Sequence, residues 1–305
     1  MITRHKRGKI TWVDLESPTH DELAGVMREF GIDERIEEEI ISPTPYPITI
    51  SFPKYQYLIL HFPTADPSAG TRNQEIDLIV GKTFIITARY EVIDTIHNLH
   101  RVFEAEELLG FPNKTERADV LLERLIRRLY GAIREEMEHA SRILERIERD
   151  MFSGKERTTV HAISDIGRVL LRFETTLVRH SEPLDAFLTE LGTPAFFGKS
   201  FREHATHIEA ERKHVADLVS SYRAAASELR TTNDSLLSAS QNEVMKTLTV
   251  VTFIVFPLSL IAALFQMNVA DAPLANSPHA FWLILAFMVC ISGILAFYAF
   301  KKKWL

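Results

Sequence analysis

Residues 247–268 read TLTVVTFIVFPLSLIAALFQMN, and residues 280–300 read AFWLILAFMVCISGILAFYAF. Neither run holds a charged side chain. Each is long enough to cross a bilayer core as a helix, which takes about 20 apolar residues. Residues 269–279 separate them, and Lys301-Lys302-Lys303 follows the second. The pattern predicts a membrane hairpin at the end of an otherwise charged chain. Two helices cannot enclose a pore, so any conduction path along them requires several copies of the chain.

Orientation follows from the basic residues. Lys246 precedes the first run and three lysines follow the second, while the connecting loop has no Lys or Arg and carries Asp271. The positive-inside rule puts both termini in the cytoplasm of a cell whose inner membrane holds the hairpin. The basic N-terminal stretch Arg4-His5-Lys6-Arg7 has no apolar stretch behind it, so a cleaved signal peptide is not expected. The formal net charge of −6 argues against nucleic acid as a partner and is compatible with gathering cations. The only cysteine, Cys290, lies inside the second run, so no disulfide forms within one chain.

Upstream, three regions are expected: an α/β cytoplasmic domain over 1–112, a long-helix region and stalk over 113–246, and the transmembrane hairpin over 247–305. In the first, Lys9–Leu15, Ile48–Ser51, Tyr55–Phe62, Ile76–Val80 and Thr83–Thr87 read as strands. Gly81-Lys82 is a two-residue hairpin signal. Thr19 and Glu22 form a capping box, and a helix is expected over about Val92–Leu109. The period then changes. Leu122, Leu125, Leu129, Ile133, Met137, Ala140, Leu144 and Ile147 recur every three or four residues, which predicts an amphipathic helix of about 35 residues. Ser153-Gly154-Lys155 turns the chain into a second long helix, about Thr158–Leu191, with Pro183 as a point of kinking. No breaker follows between Ser200 and Phe256. One helix is therefore expected from Phe201 to about Asn268, roughly 100 Å at 1.5 Å per residue.

Within that helix Asn242, Met245, Leu248, Thr252, Phe256, Ser259, Ala263 and Met267 share one face at spacings of three and four. A path of neutral oxygens and apolar rings suits a hydrated cation such as Mg²⁺, which releases its water reluctantly. Apolar rings at Leu248 or Phe256 can gate by dewetting. Any transmembrane hairpin shows some face at this spacing, and small residues also serve plain helix packing.

At Phe265-Gln266-Met267-Asn268 the sequence resembles the CorA family of divalent metal-ion transporters, whose first span ends in an aromatic-Gly-Met-Asn motif. Asn242-Glu243-Val244-Met245-Lys246-Thr247-Leu248-Thr249, Pro257-Leu258 and the terminal Lys-Lys-Lys-Trp-Leu are similar as well. Weaker likeness extends to Trp12-Val13-Asp14-Leu15, the helix from Ala118-Asp119 to Leu129, and Phe201-Arg202-Glu203. The resemblance implies a funnel-shaped homopentamer. It has an α+β cytoplasmic domain, long helices, and two C-terminal transmembrane helices, the first of which lines one pore. It implies transport of Mg²⁺, with Co²⁺ and Ni²⁺ as further cations. Asn268 matches the asparagine that meets the hydrated ion at the outer mouth, beside Met267. Asn242, Met245 and Leu248 match pore positions near the cytoplasmic side. Ser259 stands where Thr is usual, and Phe256 where Met is common. Glu203 matches an acidic stalk position that binds regulatory metal between subunits. Gln266 departs from the motif's glycine; it is a candidate for the outer selectivity mouth, as a second ring of amides, the other reading being a side chain that points away from the pore. The usual Met-Pro-Glu loop is replaced by Ala270-Asp271-Ala272-Pro273.

Two other readings stand beside this one: a ZntB-like Zn²⁺ transporter, and a membrane-anchored metal sensor or scaffold without transport. His204, His207, Glu211 and His214 cluster on one helix, with His207 the natural centre of a Zn²⁺ or Ni²⁺ site; the bland reading is a solvated polar face. Glu135, Glu136, Glu138 and His139 read as another solvated face. No nucleophile elbow, paired-carboxylate signature, CxxC or HExxH is present, so an enzyme is not expected.

Overall fold

A computed structural model of the chain describes residues 1–63, 73–108, 117–266 and 279–302. The chain divides into two compact units, Met1–Arg230 and Thr231–Leu305, each described by itself.

The first unit is built on a six-stranded sheet. Its strands are β1 (Ile2–Arg7), β2 (Ile10–Glu16), β3 (Ile48–Ser51), β4 (Tyr55–Phe62), β5 (Gln74–Gly81) and β6 (Phe84–Arg89). The spatial order is β1-β2-β6-β5-β4-β3. Only β2 and β6 run parallel; every other neighbouring pair is antiparallel. Helices cover both faces, which is why β4 is buried at every position rather than at alternate ones. Tyr57, Ile59, Ile79 and Ile86 face one layer, α1 (His20–Phe30) and α2 (Glu34–Ile41). Leu58, Leu60, Leu78 and Val80 face the other. That layer consists of α3 (Asp94–Leu108), α4 (Ala118–Phe152), α5 (Glu156–Leu191) and the first part of α6 (Arg202–Gln266).

Local chemistry sets the ends of these elements. Thr19 and Glu22 form the expected capping box at the start of α1. Gly31 closes that helix at φ 66°, a left-handed conformation that costs glycine little, and its N–H reaches Met27 and Arg28. The eight apolar positions predicted from Leu122 to Ile147 are all buried on α4. Each such leucine or isoleucine contributes about 1.5–3 kcal/mol by leaving water. Gly154, at φ 86°, turns α4 into α5, and α5 runs unbroken through Pro183.

The structure corrects several boundaries. The β5–β6 turn is centred on Lys82-Thr83, one residue beyond Gly81-Lys82, because Val80 pairs with Ile85. The strand β1 and the helix α2 were not anticipated: β1 is polar and alternates weakly, and α2 is only eight residues long. The third helix starts at Asp94 rather than Val92. The long final helix begins with a 3-10 turn over Gly198–Phe201 and is helical to Gln266. Asn268 and Met267 lie outside the described residues.

Two hydrogen-bonded networks tie the sheet to its helices. Asp14 on β2 accepts from Arg89 at 3.0 Å, His100 at 2.9 Å and Thr87 at 2.5 Å. Burial alone would raise its pKa, but His100, Arg89 and Thr87 outweigh burial and hold the carboxylate below its usual range. His100 therefore donates from Nε2, and its Nδ1 shares a hydrogen bond with His5 Nε2 at 2.8 Å. In the second network His180 of α5 donates from Nε2 to the carbonyl of His61 at 2.8 Å, and its Nδ1 accepts from Tyr130 of α4 at 2.9 Å. Both ring nitrogens are satisfied by a neutral imidazole, and burial pushes its pKa down to about 4.

Candidate functional site: a neutral stripe on a membrane-spanning helix

The second unit contains the end of α6 and the helix α7 (Ala280–Lys301). Both contain an uncharged stretch of mean hydropathy 2.5 that is almost wholly unburied within the chain. Neither is near the N-terminus. Apolar helices left open in this way are expected to meet lipid or other copies of the chain rather than water.

The two helices pack through one face of each. On α6, Val250 is 3% exposed, and Phe253, Ile254, Pro257, Leu258, Ile261 and Ala262 are half-buried. On α7, Ile284, Met288, Ile291 and Leu295 are half-buried and Ala299 is fully buried, again at spacings of three and four. The Phe253 and Tyr298 rings lie 6.4 Å apart across this contact.

The predicted stripe occupies the other side of α6. At about 100° per residue, Met245, Leu248, Thr252, Phe256, Ser259 and Ala263 fall within a sector of about 80°. Its centre is about 180° from Val250 and Ile261. All six are exposed, Leu248 at 56% and Phe256 at 69%. Asn242 is also exposed and lies about 40° beyond the edge of this sector. The structure thus brings the described stripe residues together on a face that α7 does not cover. Gln266 continues α6 in backbone; Met267 and Asn268 lie outside the described residues.

The hydroxyls on this face have a defined polarity. Thr252 donates to the carbonyl of Leu248 at 2.9 Å, and Ser259 to that of Val255 at 2.9 Å. This back-bonding spends the hydroxyl proton on the helix itself. What remains toward the exposed face is lone pairs only. First-shell waters on a cation point their hydrogens outward and require acceptors. A stripe of acceptor-only oxygens separated by apolar rings therefore favours hydrated cations over anions without using any formal charge.

The regulatory candidates lie in the first unit. Glu203 is exposed in the first turn of α6. His207 accompanies His204, and both contact Glu123 of α4, at 2.9 and 2.5 Å. Glu123 also receives Arg127 at 3.0 Å. Its partial burial would raise its pKa, but His204, Arg127 and His207 together hold it below the usual range. Glu211 pairs instead with Arg134 at 3.1 Å, and His214 is exposed. The four-residue cluster read from α6 is thus divided between partners on α4. Among the described residues, no group of three His, Cys, Asp or Glu side chains is placed to hold a metal ion. Glu123 was missed because it lies 81 and 84 residues before the histidines; its only sequence signal was an i,i+4 pair with Arg127.

An α/β unit, long amphipathic helices and a C-terminal two-span hairpin define a membrane protein with a large soluble part. The profile of the family described as CorA-like Mg2+ transporter protein matches residues 7–302, and the chain belongs to that family. It is 23% identical to the cobalt/magnesium transport protein CorA of Methanocaldococcus jannaschii, with 97% of this chain and 92% of that protein aligned. The complete structure of the CorA magnesium transporter from the same organism superposes with a TM-score of 0.81 at 21% identity. That superposition covers 97% of this chain and 92% of the other. The ZntB cytoplasmic domain from Vibrio parahaemolyticus shares the fold with a TM-score of 0.63 at 11% identity, over 78% of this chain and 91% of that one.

Proposed function

We propose that the chain forms a homopentameric channel for hydrated divalent cations, with Mg²⁺ as principal substrate and Co²⁺ and Ni²⁺ as further ones. It lies in the inner membrane with both termini cytoplasmic, and it is a transporter rather than an enzyme. The observation that carries this reading is the neutral stripe on the face of α6 opposite α7, whose Thr252 and Ser259 hydroxyls present only acceptors. Five copies arranged with that face inward line a path, and α7 then faces lipid. Family membership and the names of the relatives support the substrate class.

In this reading Asn268 and Met267 form the outer mouth, Thr252 and Ser259 offer acceptor rings along the path, and Phe256 narrows it. Leu248 and Met245 form the inner hydrophobic gate, with Asn242 below them. A membrane potential of −100 mV favours entry of a divalent cation by about 4.6 kcal/mol, so no nucleotide hydrolysis is required. Cytoplasmic Mg²⁺ at Glu203, with ligands supplied by a neighbouring copy, holds the gate shut. His207 is the second position for such a metal.

Ion flux in liposomes tests the reading. Purified protein is expected to carry Mg²⁺ in the direction set by the potential, and Asn268→Ala is expected to abolish it. Flux that survives Asn268→Ala, or no flux at all, sinks the proposal. Preferential uptake of Zn²⁺ over Mg²⁺ in the same vesicles would assign the chain to ZntB-like transport. Metal-dependent oligomer changes without flux would indicate a sensor or scaffold. Cytoplasmic Mg²⁺ is expected to protect the chain from protease, and protection that survives Glu203→Ala counts against the feedback role.

A further inference from the structure

We infer that Asn73, Glu75 and Glu91 bind one hard cation, Ca²⁺ in preference to Mg²⁺, in a small cavity at the end of the sheet. The site lies in the first unit and owes nothing to the reading of α6 as a pore wall. The cavity has a volume of about 20 Å³ and lies where β5 begins and β6 has just ended. Asn73, Glu75, Tyr90 and Glu91 line it, together with Pro43 from the segment after α2. That is room for about one water or one bare ion.

The hydrogen bonds around the cavity use up the donors and leave two acceptors over. Thr176 of α5 spends its hydroxyl proton on the carbonyl of Arg172 at 2.8 Å, so it accepts from Asn73 Nδ2 at 3.1 Å. That fixes the amide, and Asn73 Oδ1 is left buried without a partner. Glu75 Oε2 accepts from the backbone N–H of Thr44 at 2.8 Å and from His61 Nε2 at 3.1 Å. His61 Nε2 carries a proton, because it also meets the carbonyl of Thr44 at 2.8 Å. The other carboxylate oxygen, Glu75 Oε1, is buried without a partner, on a side chain that is 4% exposed. Two orphaned acceptors on residues that line one cavity call for a donor or a cation between them.

Charge decides between the two. Water supplies donors but no charge, and a carboxylate taken out of water needs a partner. Among the described residues no lysine or arginine pairs with Glu75. Burial, then repulsion from Glu75, keeps the proton on Asp77, the next residue along the same face of β5. Glu91, exposed at the rim, adds a second carboxylate. The donors are all oxygens, which suit Mg²⁺ and Ca²⁺ rather than Zn²⁺. Mg²⁺ keeps several of its waters, for which the cavity has no room, whereas Ca²⁺ takes carboxylate and amide oxygens in a flexible geometry. Only two of the side chains are carboxylates, so the lack of a three-residue group of His, Cys, Asp or Glu does not bear on this site. An ion here ties the start of β5 to the turn after β6, while Glu75 Oε2 holds Thr44 and with it the segment after α2.

Calorimetry and thermal unfolding of the detergent-solubilised full chain test the inference, with Ca²⁺ and Mg²⁺ as probes. The protein is stripped of metal and carries Glu203→Ala, which removes the stalk position from the comparison. One Ca²⁺ per chain is expected to bind, at least about tenfold more tightly than Mg²⁺, and to raise the melting temperature by about 5 °C at saturation. Glu75→Gln is expected to weaken Ca²⁺ binding at least about tenfold and to remove most of the thermal shift. Glu91→Gln, on an exposed side chain, is expected to weaken binding about threefold. Ca²⁺ binding unchanged in both variants overturns the inference. Should Glu75→Gln fail to fold, unchanged binding in Glu91→Gln and Asn73→Ala overturns it. A parent chain that binds no Ca²⁺ also overturns it and leaves the cavity to a water molecule. Equal or tighter binding of Mg²⁺ overturns it as well.

Discussion

His180→Gln is expected to flatten the acid limb of the protein's stability profile. His180 is fully buried, donates to the carbonyl of His61 and accepts from Tyr130. A proton added to Nδ1 would face the Tyr130 oxygen in a site closed to water. Burial accordingly pushes the folded pKa down to about 4 from 6.5. Because the folded value lies below the unfolded one, unfolding takes up a proton in acid. The stabilisation is complete above pH 6.5 and is lost as pH falls toward about 4. At about 1.4 kcal/mol per pKa unit, the loss across that window is about 3 kcal/mol. Glutamine can donate to His61 and accept from Tyr130 without titrating. Urea midpoints of the detergent-solubilised full chain, measured from pH 7.5 to 4.5, read the effect. The wild type is expected to fall steeply below pH 6.5 and His180→Gln to fall much less. Asp14 does not confuse the comparison, because a carboxylate with a lowered pKa loses its stabilisation only below its usual value of 3.8. Parallel acid slopes for the two proteins would refute the assignment of a buried neutral His180.

Three further outcomes follow from the same geometry. Asp77 is fully buried, and burial, then repulsion from Glu75, raises its pKa well above the usual value. Its stabilisation is complete below the usual carboxylate value of 3.8 and is lost as pH rises from there through the raised folded value, so Asp77→Asn is expected to hold its melting temperature better than wild type as pH rises above that usual value. Arg89→Met strands the buried Asp14 carboxylate and is expected to cost about 3–5 kcal/mol in urea unfolding; adding Asp14→Asn should recover part of the loss. Thr252→Val and Ser259→Ala remove acceptors on an exposed face together with one hydroxyl-to-carbonyl bond each along the helix. They are expected to change stability by less than about 0.5 kcal/mol and to lower Mg²⁺ flux severalfold, with Ser259→Thr retaining it.

Much of the soluble unit was legible in its periodicity. The stripe from Leu122 to Ile147 could be assigned because neighbours three and four apart meet on a helix whatever surrounds it. The capping box at Thr19 was legible for the same reason, since both partners lie within four residues. The strand β1 was not, because its pairing with β2 supplies what its own weak alternation does not. The hairpin turn was displaced by one residue because register is set by the pairing of Val80 with Ile85, not by the glycine. At the candidate site, the face carrying Leu248, Thr252 and Ser259 was readable from spacing alone. That α7 packs on the opposite side was not, because spacing defines a face without saying what covers it.

Sequence alone determined the two apolar spans, the neutral stripe and the long helices, because each depends on residues within a turn or two of one another. The tertiary structure decided the rest. It drew His204 and His207 to Glu123 and gave Glu211 to Arg134, dividing a cluster that the helix by itself would have kept whole. It placed the packing face of α6 against α7 and left the stripe open. Both results depend on which helices lie side by side. Burial over the whole unit fixes that arrangement, and no local spacing encodes it.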